Sequence, residues 1–390
     1  MSRFLLPALS LVNLCVGTGA FIITSILPDV ARALSVSLPA AGQAMSAYAL
    51  STALLAPLLL VATGRWPRRH AMVFAMLLFA LGNAVCALAT SLPVLLAGRV
   101  LMGIGAVFTP LAAGLIVASV PPAQRGKALA LVFLGISLSY VIGLPLGSWL
   151  ATHQGWHAPI WVVVVASLLS CLLLWAVVPK DVQAAGISTQ GLGSLLARAD
   201  VLSVLGITLL YFIAIFAVFS YVVPVLQGLV PMSAERLSLT LLLFGLSGVA
   251  GTLIGGVAND RFGALKSLSV LLVLLGSMML ALPLTQGNWI FMVGVMLLWG
   301  TAGFGMMAPQ QTRLAALSPA HAPLLLSLNT SMLYLGTALG AVLGGAFAPS
   351  LGFTHLAWVG APLAGLALLL LWLGPRVPRV LPKPPPLPAG

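Results

Sequence analysis

Long apolar segments, separated by short groups of charged residues, prolines and glycines, recur along the whole chain. Each segment is apolar around its full circumference and reaches the roughly 20 residues that a helix needs to cross a bilayer. Strands of a transmembrane barrel would instead alternate apolar and polar residues over about ten positions. The pattern predicts an all-α membrane protein with twelve spans, near residues 5–27, 40–62, 71–90, 93–120, 127–152, 158–178, 201–226, 237–258, 266–286, 289–316, 322–350 and 354–374.

Composition supports membrane insertion, since 61% of the 390 residues are hydrophobic and 6% are charged. An ordinary soluble domain is excluded by these values. The first apolar segment shows no small-residue cleavage site before polar sequence, so we expect a retained helix rather than a signal peptide. The partners we expect are the lipid bilayer and a small organic substrate, for a protein that acts as a monomer.

The basic residues predict the orientation, because they fall in alternate loops. Under the positive-inside rule both termini lie in the cytoplasm, and we expect the bacterial inner membrane as the location. This topology accounts for the net charge of +12 without nucleic-acid binding. The basic residues assigned to the cytoplasmic side are Arg3, Arg65, Arg68, Arg69, Arg125, Lys127, Lys180, Arg198, Arg261, Lys266, Arg313, Arg376, Arg379 and Lys383.

The spans divide into two halves of six. We expect a first half at residues 1–178, a cytoplasmic linker at 179–200, a second half at 201–374 and a proline-rich cytoplasmic tail at 375–390. Prolines prevent the tail from forming a helix. A division into two six-span halves is typical of secondary transporters, whose halves rock about a site near the middle of the membrane.

A short charged loop appears once in each half, with Arg65 and Arg261 separated by 196 positions, that is 261 minus 65. The loop resembles the pattern Gly-x-x-x-Asp-Arg-x-Gly-x-x-Lys of the major facilitator superfamily. The second copy matches it at Gly256, Asp260, Arg261, Gly263 and Lys266. The first copy keeps Arg65, Arg68 and Arg69, but has Leu60, Gly64 and Pro67 in place of the two glycines and the aspartate.

The resemblance implies a twelve-helix transporter in which these loops latch a cytoplasmic gate. A first-half latch without its aspartate must then be weaker or built differently. The alternative for Arg261 and Lys266 is that they serve topology alone.

Two further segments resemble motifs of the same superfamily. Arg99, followed by Gly103 and Gly105, is similar to the fourth-helix motif linked to proton coupling. The fifth span resembles the antiporter motif of twelve-helix exporters through Gly135, Gly143, Pro145 and Gly147. Short strings around Pro28-Asp29 and Asn329-Thr330-Ser331 look like those of arabinose-efflux and purine-efflux permeases. The resemblance therefore implies export in exchange for protons.

Two charged residues are candidates for proton coupling, Arg99 and Asp29. A charge inside a span costs a few kcal/mol even on the gentlest scale, so Arg99 either faces the interior with a function or snorkels to the extracellular interface. Asp29 directly follows the first apolar segment and would carry the proton if a carboxylate does so. Its alternative is a hydrated helix terminus paired with Arg32.

By family resemblance, spans 1, 4, 7 and 10 line a central cavity. Polar candidates to contact substrate on these and neighbouring spans are Asn13, Gln43, Tyr48, Thr109, Tyr140, Tyr211, Gln310, Gln311 and Asn329. Each could instead bond a neighbouring helix. Together they predict an uncharged, hydrogen-bonding or amphipathic substrate, and the lack of an acidic residue deep in a span disfavours organic cations.

These observations favour a proton-coupled exporter of small organic molecules, such as drugs, sugars or nucleosides, that works by alternating access. An uptake symporter or facilitator is the alternative, and a receptor or scaffold is a further one. An enzyme is not expected, because the five acidic residues supply no catalytic cluster. No metal or cofactor is expected, since the three cysteines lie in apolar segments without ligand spacing.

Overall fold

The computed structural model describes residues 4–121, 124–180, 182, 192–318 and 321–375. Twelve helices in these ranges are long and apolar enough to cross a membrane, which confirms the predicted fold. They are numbered here as spans 1 to 12: Leu5–Ser25, Leu38–Ala62, Arg68–Ala87, Leu92–Ser119, Lys127–Gln154, His157–Val177, Ala199–Phe219, Ala234–Phe262, Ala264–Thr285, Trp289–Leu317, Leu324–Leu351 and Phe353–Leu373. Arg3, Asp181, most of the expected linker and the tail from Arg376 onward lie outside the described residues.

The chain crosses the bundle twelve times and so gives it two ends. We call the end that carries the turn at 63–66 and Gly263 the linker end, because residues 179–180 and 192–198 of the expected linker also lie there. The opposite end, with turns at Gly155, Gly287 and Gly352, is the far end. These glycines, like Gly263, have positive φ values between 72° and 86°, a backbone region that favours glycine.

Equivalent spans of the two halves break at equivalent places. Span 4 consists of the helices Leu92–Gly105 and Phe108–Ser119, and span 10 of Trp289–Gly305 and Met307–Leu317. Each break lies about one turn before a proline, Pro110 or Pro309. Proline has no backbone N–H for the carbonyl four residues earlier and its ring crowds that carbonyl, so the helix bends there. Prolines at equivalent positions of the two halves thus produce a structural repeat.

The two halves meet mainly in the far part of the bundle. Span 2 packs along span 11, and span 8 packs along the far segment of span 5. The Ser46 hydroxyl donates to the carbonyl of Ala338 across this contact at 3.2 Å. Near the far end, the ring of Tyr221 lies directly over Gly42, and a Cβ on Gly345 would lie 3.5 Å from the Cβ of Pro39.

Toward the linker end, spans 2 and 11 are less buried than in the far part of the bundle. In span 2, most residues of 41–49 are buried, whereas most of 54–62 are exposed. In span 11, most of 336–341 are buried, whereas 326–335 are mostly half-buried or exposed. The halves are therefore closed together at the far end and parted at the linker end.

Candidate functional site

Arg99 lies wholly inside the first half, with 2% of its surface exposed. Its guanidinium donates through Nη1 to the carbonyl of Gly19 at 2.9 Å and through Nη2 to that of Ala20 at 2.7 Å, both on span 1. Nε donates to the carbonyl of Ala44 on span 2 at 3.0 Å. One cation thus joins spans 1, 2 and 4, and Arg99 faces the protein interior rather than the membrane interface.

The surroundings of Arg99 contain aromatic and polarisable groups. The guanidinium carbon lies 4.7 Å from the ring centre of Tyr48, a distance at which the ring face attracts a cation. A cavity of about 10 Å³ adjoins it, lined in part by Asn83 and Cys86. No carboxylate pairs with Arg99 in the part of the chain that the structure describes. Carbonyl dipoles and one aromatic face therefore offset the cost of burying this charge.

Asp29 is held apart from Arg99, on the short helix Leu27–Ala33 at the far end. Its Oδ1 pairs with Nη1 of Arg32 at 3.2 Å, and the two side chains are 35% and 78% exposed. An exposed pair of this kind contributes little to stability. No hydrogen bond or ion pair among the described residues links Asp29 to Arg99. A link between the two proton-coupling candidates would therefore pass through span 1 or span 2, whose backbone carbonyls Arg99 bonds.

The residues expected to form the second-half gate lie at the exposed end of span 8, except for Lys266, which lies at the start of span 9. Asp260, Arg261 and Lys266 are exposed, and neither Asp260 nor Arg261 has an ion pair within the described ranges. The Asn259 amide donates to both Asp260 and the hydroxyl of Thr312 at 3.3 Å. The motif's Gly263 ends the helix with φ 80°, while Gly256 has open space around its Cβ position. The expected latch is therefore not engaged in this conformation, in which the linker end is parted.

The first-half copy of the loop is built differently. Arg65 is exposed, but Arg68 and Arg69 are buried. Arg69 donates from Nε to the carbonyl of Val178 at 2.6 Å and lies 5.5 Å from the ring centre of Trp175, both near the linker end of span 6. Arg69 thus attaches span 3 to span 6, which the sequence pattern did not reveal.

The glycines of the antiporter-like motif in span 5 pack against span 1. A Cβ on Gly135 would collide with the backbone carbonyl of Ser10, and one on Gly143 would collide with Thr18. One on Gly147 would come within 2.6 Å of Ile22. Between the first two glycines the helix widens into a π turn at Ser139–Gly143, just before Pro145. Such turns are frequent at functional sites, and this one carries Tyr140.

Four of the nine expected substrate contacts belong instead to two side-chain hydrogen-bond networks between helices. In the first half, the Thr109 hydroxyl donates to Oδ1 of Asn13 at 2.8 Å, and the Asn13 amide donates to the carbonyl of Val132 at 3.0 Å. In the second half, the Gln310 amide donates to Thr208 at 2.9 Å, and the Thr208 hydroxyl donates to Asn329 at 2.6 Å.

These two networks join equivalent spans, namely 1, 4 and 5 in the first half and 7, 10 and 11 in the second. Their hydrogen bonds hold each half together internally. Thr208 was not among the expected residues, although its position on an otherwise apolar span is a signal that could have identified it.

The other five expected contacts are placed in several environments. Gln43 donates to the carbonyl of Pro39 on its own helix at 3.4 Å, and the Tyr211 hydroxyl donates to the sulfur of Met307 at 3.7 Å. Gln311 is exposed in the linker part of span 10. Tyr48 is fully buried beside Arg99, and its hydroxyl has no hydrogen-bond partner within the described residues.

Tyr140 belongs to a group of rings that both halves contribute, which we call the aromatic cluster: Phe21 and Tyr140 from the first half, and Phe216, Phe219 and Phe304 from the second. Ring centres of Tyr140 lie 4.7 Å from Phe21, 4.9 Å from Phe304 and 5.9 Å from Phe219. The sequence analysis missed the four phenylalanines. The spacing of Phe212, Phe216 and Phe219 on one helical face was the available signal.

Comparison with known proteins agrees with this architecture. The sequence profile of the Major Facilitator Superfamily matches residues 9–323 and 232–389. The chain is 33% identical over 378 residues to the inner membrane transport protein YdhP of Escherichia coli, covering 95% of this chain and 96% of that protein. It is 29% identical to the MFS-type transporter YbcL of Bacillus subtilis, covering 90% and 91% of the two chains.

The chain belongs to the major facilitator superfamily. It is an integral membrane transporter.

Solved structures share the fold of this superfamily member. A bacterial homolog of the human lysosomal transporter Spinster, in an inward-facing and occupied conformation, superposes with a TM-score of 0.83 at 18% identity, covering 95% of this chain and 96% of that one. A D-xylose-proton symporter gives a TM-score of 0.74 at 18% identity, covering 94% and 96%. The resemblance that the loop motif indicated is thus confirmed for family and fold.

Proposed function

We propose that this transporter exports small, neutral organic molecules in exchange for protons, across a bacterial inner membrane and with its linker end in the cytoplasm. The observation that carries the proposal is the placement of the antiporter-like segment of span 5. Gly135 and Gly143 pack on span 1, and the π turn between them puts Tyr140 against rings of the other half. The motif that resembles those of exporters therefore lies where the two halves contact each other.

Alternating access is supported by how the polar contacts are distributed. The networks around Asn13 and Thr208 stay within one half each. Contacts between the halves are mainly apolar and concentrated in the far part of the bundle. Each half is held together by its own hydrogen bonds, and the contact between the halves is mainly apolar. The halves can therefore open the far end and close the linker end without breaking many hydrogen bonds. Asp260 and Arg261 would then bond only when the linker end closes.

Asp29 remains the proposed proton carrier. It lies on the short helix that follows span 1, whereas Asp200, Glu235 and Asp260 lie in the first or last turns of spans 7 and 8. Arg99 is proposed as a positioning residue, because it bonds the carbonyls of Gly19 and Ala20 on the span that leads to Asp29.

The proposal predicts proton-driven accumulation in everted membrane vesicles. With the vesicle interior acidified, at least one of radiolabelled chloramphenicol, D-arabinose and inosine should accumulate above vesicles that lack the protein. A protonophore should abolish the accumulation, and Asp29→Asn should reduce it by about ten-fold, because an amide cannot carry the proton. Arg32→Ala, which keeps the carboxylate, is the matched control.

Each contrary outcome identifies the part of the proposal that fails. Accumulation only in right-side-out vesicles would mean uptake instead of export. Accumulation that resists the protonophore would contradict proton coupling, and full activity of Asp29→Asn would contradict the assignment of Asp29 alone.

A further inference from the structure

The polar residues expected to contact substrate bond mostly to the protein itself, and rings from both halves meet where the halves join. We propose that this transporter binds neutral, planar aromatic molecules against the aromatic cluster. The inference deepens the proposed export function and rests on it only for the direction of movement.

Partly exposed side chains show what faces the space between the halves. Several lie in the middle parts of the spans that line the family's central cavity, or of their direct neighbour span 11. Apolar or aromatic ones are Leu14, Phe212, Phe304, Met307 and Tyr334, and polar ones are Thr18, Thr109, Thr301 and Ser331. The hydroxyls of Thr109 and Thr301 already donate to Asn13 and to the carbonyl of Leu297. Phe304 is both partly exposed and in contact with Tyr140, so it connects the cluster to the parted linker side. A ligand that enters from that side would meet ring surface first.

Polyhydroxylated substrates find few partners at these positions. The Thr109 hydroxyl donates to Asn13 and the Asn13 amide donates to the carbonyl of Val132. In the second half, Gln310 donates to Thr208 and Thr208 donates to Asn329. Sugar hydroxyls that leave water need replacement hydrogen bonds, and binding is weak without them. The structure therefore favours an apolar ligand over a sugar, which changes the expectation from sequence.

Charged substrates are disfavoured for a related reason. The described acidic residues lie near helix ends, so a cation would have no counter-charge among the rings. Arg99 is poorly placed to bind an anion, because it is buried and its five N–H groups already face three backbone carbonyls and the sulfurs of Met45 and Met102. Moving an ion into a site without a partner is costly, whereas a neutral molecule avoids that cost.

The geometry of the rings suits an aromatic guest. Phe21 and Phe216 are stacked at 29°, while Phe304 meets Tyr140 at 86°. The rings thus contact each other by faces and by edges, the two arrangements that aromatic pairs prefer, and a guest would reach them through the partly exposed Phe304. Because both halves contribute rings, a bound ligand would interact differently with the parted and closed arrangements, as a transported substrate must.

The test is thermal stabilisation of the purified, detergent-solubilised protein by matched compounds. The aromatic probes are 1-naphthaleneacetamide and trans-cinnamamide, and their ring-saturated counterparts are decahydronaphthaleneacetamide and 3-cyclohexylpropanamide. Inosine and methyl β-D-glucopyranoside complete the panel. At least one aromatic probe should raise the melting temperature in a saturable manner, whereas its saturated counterpart and the glucoside should not.

Variants connect the effect to the cluster. Phe304→Leu keeps an apolar side chain but removes the ring, so the dissociation constant of the aromatic probe should rise about five-fold. Phe304→Tyr keeps a ring and should bind the probe with most of the parent's affinity. Phe347→Leu is the matched control, because Phe347 is 42% exposed on span 11 and lies outside the cluster. A correctly folded Phe304→Leu protein is recognised by an unliganded melting temperature close to that of the parent.

The inference would be overturned by equal stabilisation from saturated and aromatic partners, by stabilisation from the glucoside alone, by no binding of either aromatic probe, or by Phe304→Leu binding as the parent does. This binding assay needs neither a proton gradient nor a membrane orientation. Binding can therefore fail while vesicle export succeeds, and export can fail while binding succeeds. The two proposals are therefore tested separately.

Discussion

Replacing Arg99 by alanine should destabilise the transporter and abolish its activity. The substitution removes three hydrogen bonds to backbone carbonyls on two other spans, those of Gly19, Ala20 and Ala44. It also enlarges the cavity of about 10 Å³ that already adjoins the guanidinium. Losing a large buried side chain with its charged hydrogen bonds costs about 3 kcal/mol or more. The melting temperature in detergent, followed by size-exclusion chromatography after heating, measures the loss.

Two further variants separate the physical causes. Arg99→Lys keeps the charge but not the planar fork that reaches three carbonyls, so it should recover only part of the stability. Arg32→Ala removes an arginine whose side chain is 78% exposed and should leave the melting temperature unchanged. If Arg99→Ala melted like the parent protein and still exported substrate, Arg99 would not be the connection between spans 1, 2 and 4 that the structure shows.

Gly135→Ala should be nearly as damaging, although it adds a single methyl group. The new Cβ would overlap the carbonyl oxygen of Ser10 and lie 2.8 Å from the backbone nitrogen of Leu14. Both are backbone atoms, so span 1 or span 5 must shift as a whole. Overpacking of this kind costs about 1–3 kcal/mol. Because the antiporter-like segment depends on this contact, we also expect export to fall about ten-fold or more.

A second glycine provides the matched control for this substitution. Gly294 lies inside a helix of span 10 with no atom within 4 Å of its Cβ position. Gly294→Ala should therefore leave stability unchanged or raise it slightly, since alanine favours helix more than glycine does. Equal melting temperatures and export rates for the two alanine variants would contradict the packing account of span 5.

The number and order of the spans could be predicted from sequence because apolar length alone determines them. The breaks in spans 4 and 10 follow from Pro110 and Pro309 and were also accessible. By contrast, the partners of polar residues depend on the rotation of each helix about its axis, to which hydropathy is insensitive. Asn13 and Gln310 therefore looked like substrate contacts, and the structure shows them bonded to Val132 and Thr208.

The charged loops illustrate the same limit. Sequence indicated that the first copy had lost its aspartate, but not what its arginines contact instead. The structure shows Arg69 bonded to the end of span 6, whereas Arg261 is exposed. Such contacts bring together residues more than a hundred positions apart, and no local pattern encodes them.

The central claim is that transport requires the far end, closed in this structure, to open. The Cβ of Pro39 and a Cβ placed on Gly345 lie 3.5 Å apart, which suits a disulfide between spans 2 and 11. The Cβ on Gly345 would also lie 2.6 Å from the Tyr221 hydroxyl, so that side chain must shift, and the activity of the single Gly345→Cys variant controls for this. The three native cysteines are buried and can be replaced by serine. The measurement is export by Pro39→Cys/Gly345→Cys in everted vesicles, for the panel compound that accumulates most, after oxidation and again after reduction. Export should fall to background when the disulfide forms and return with a reductant, while each single variant stays active. Undiminished export by the fully cross-linked protein would contradict alternating access through the far end.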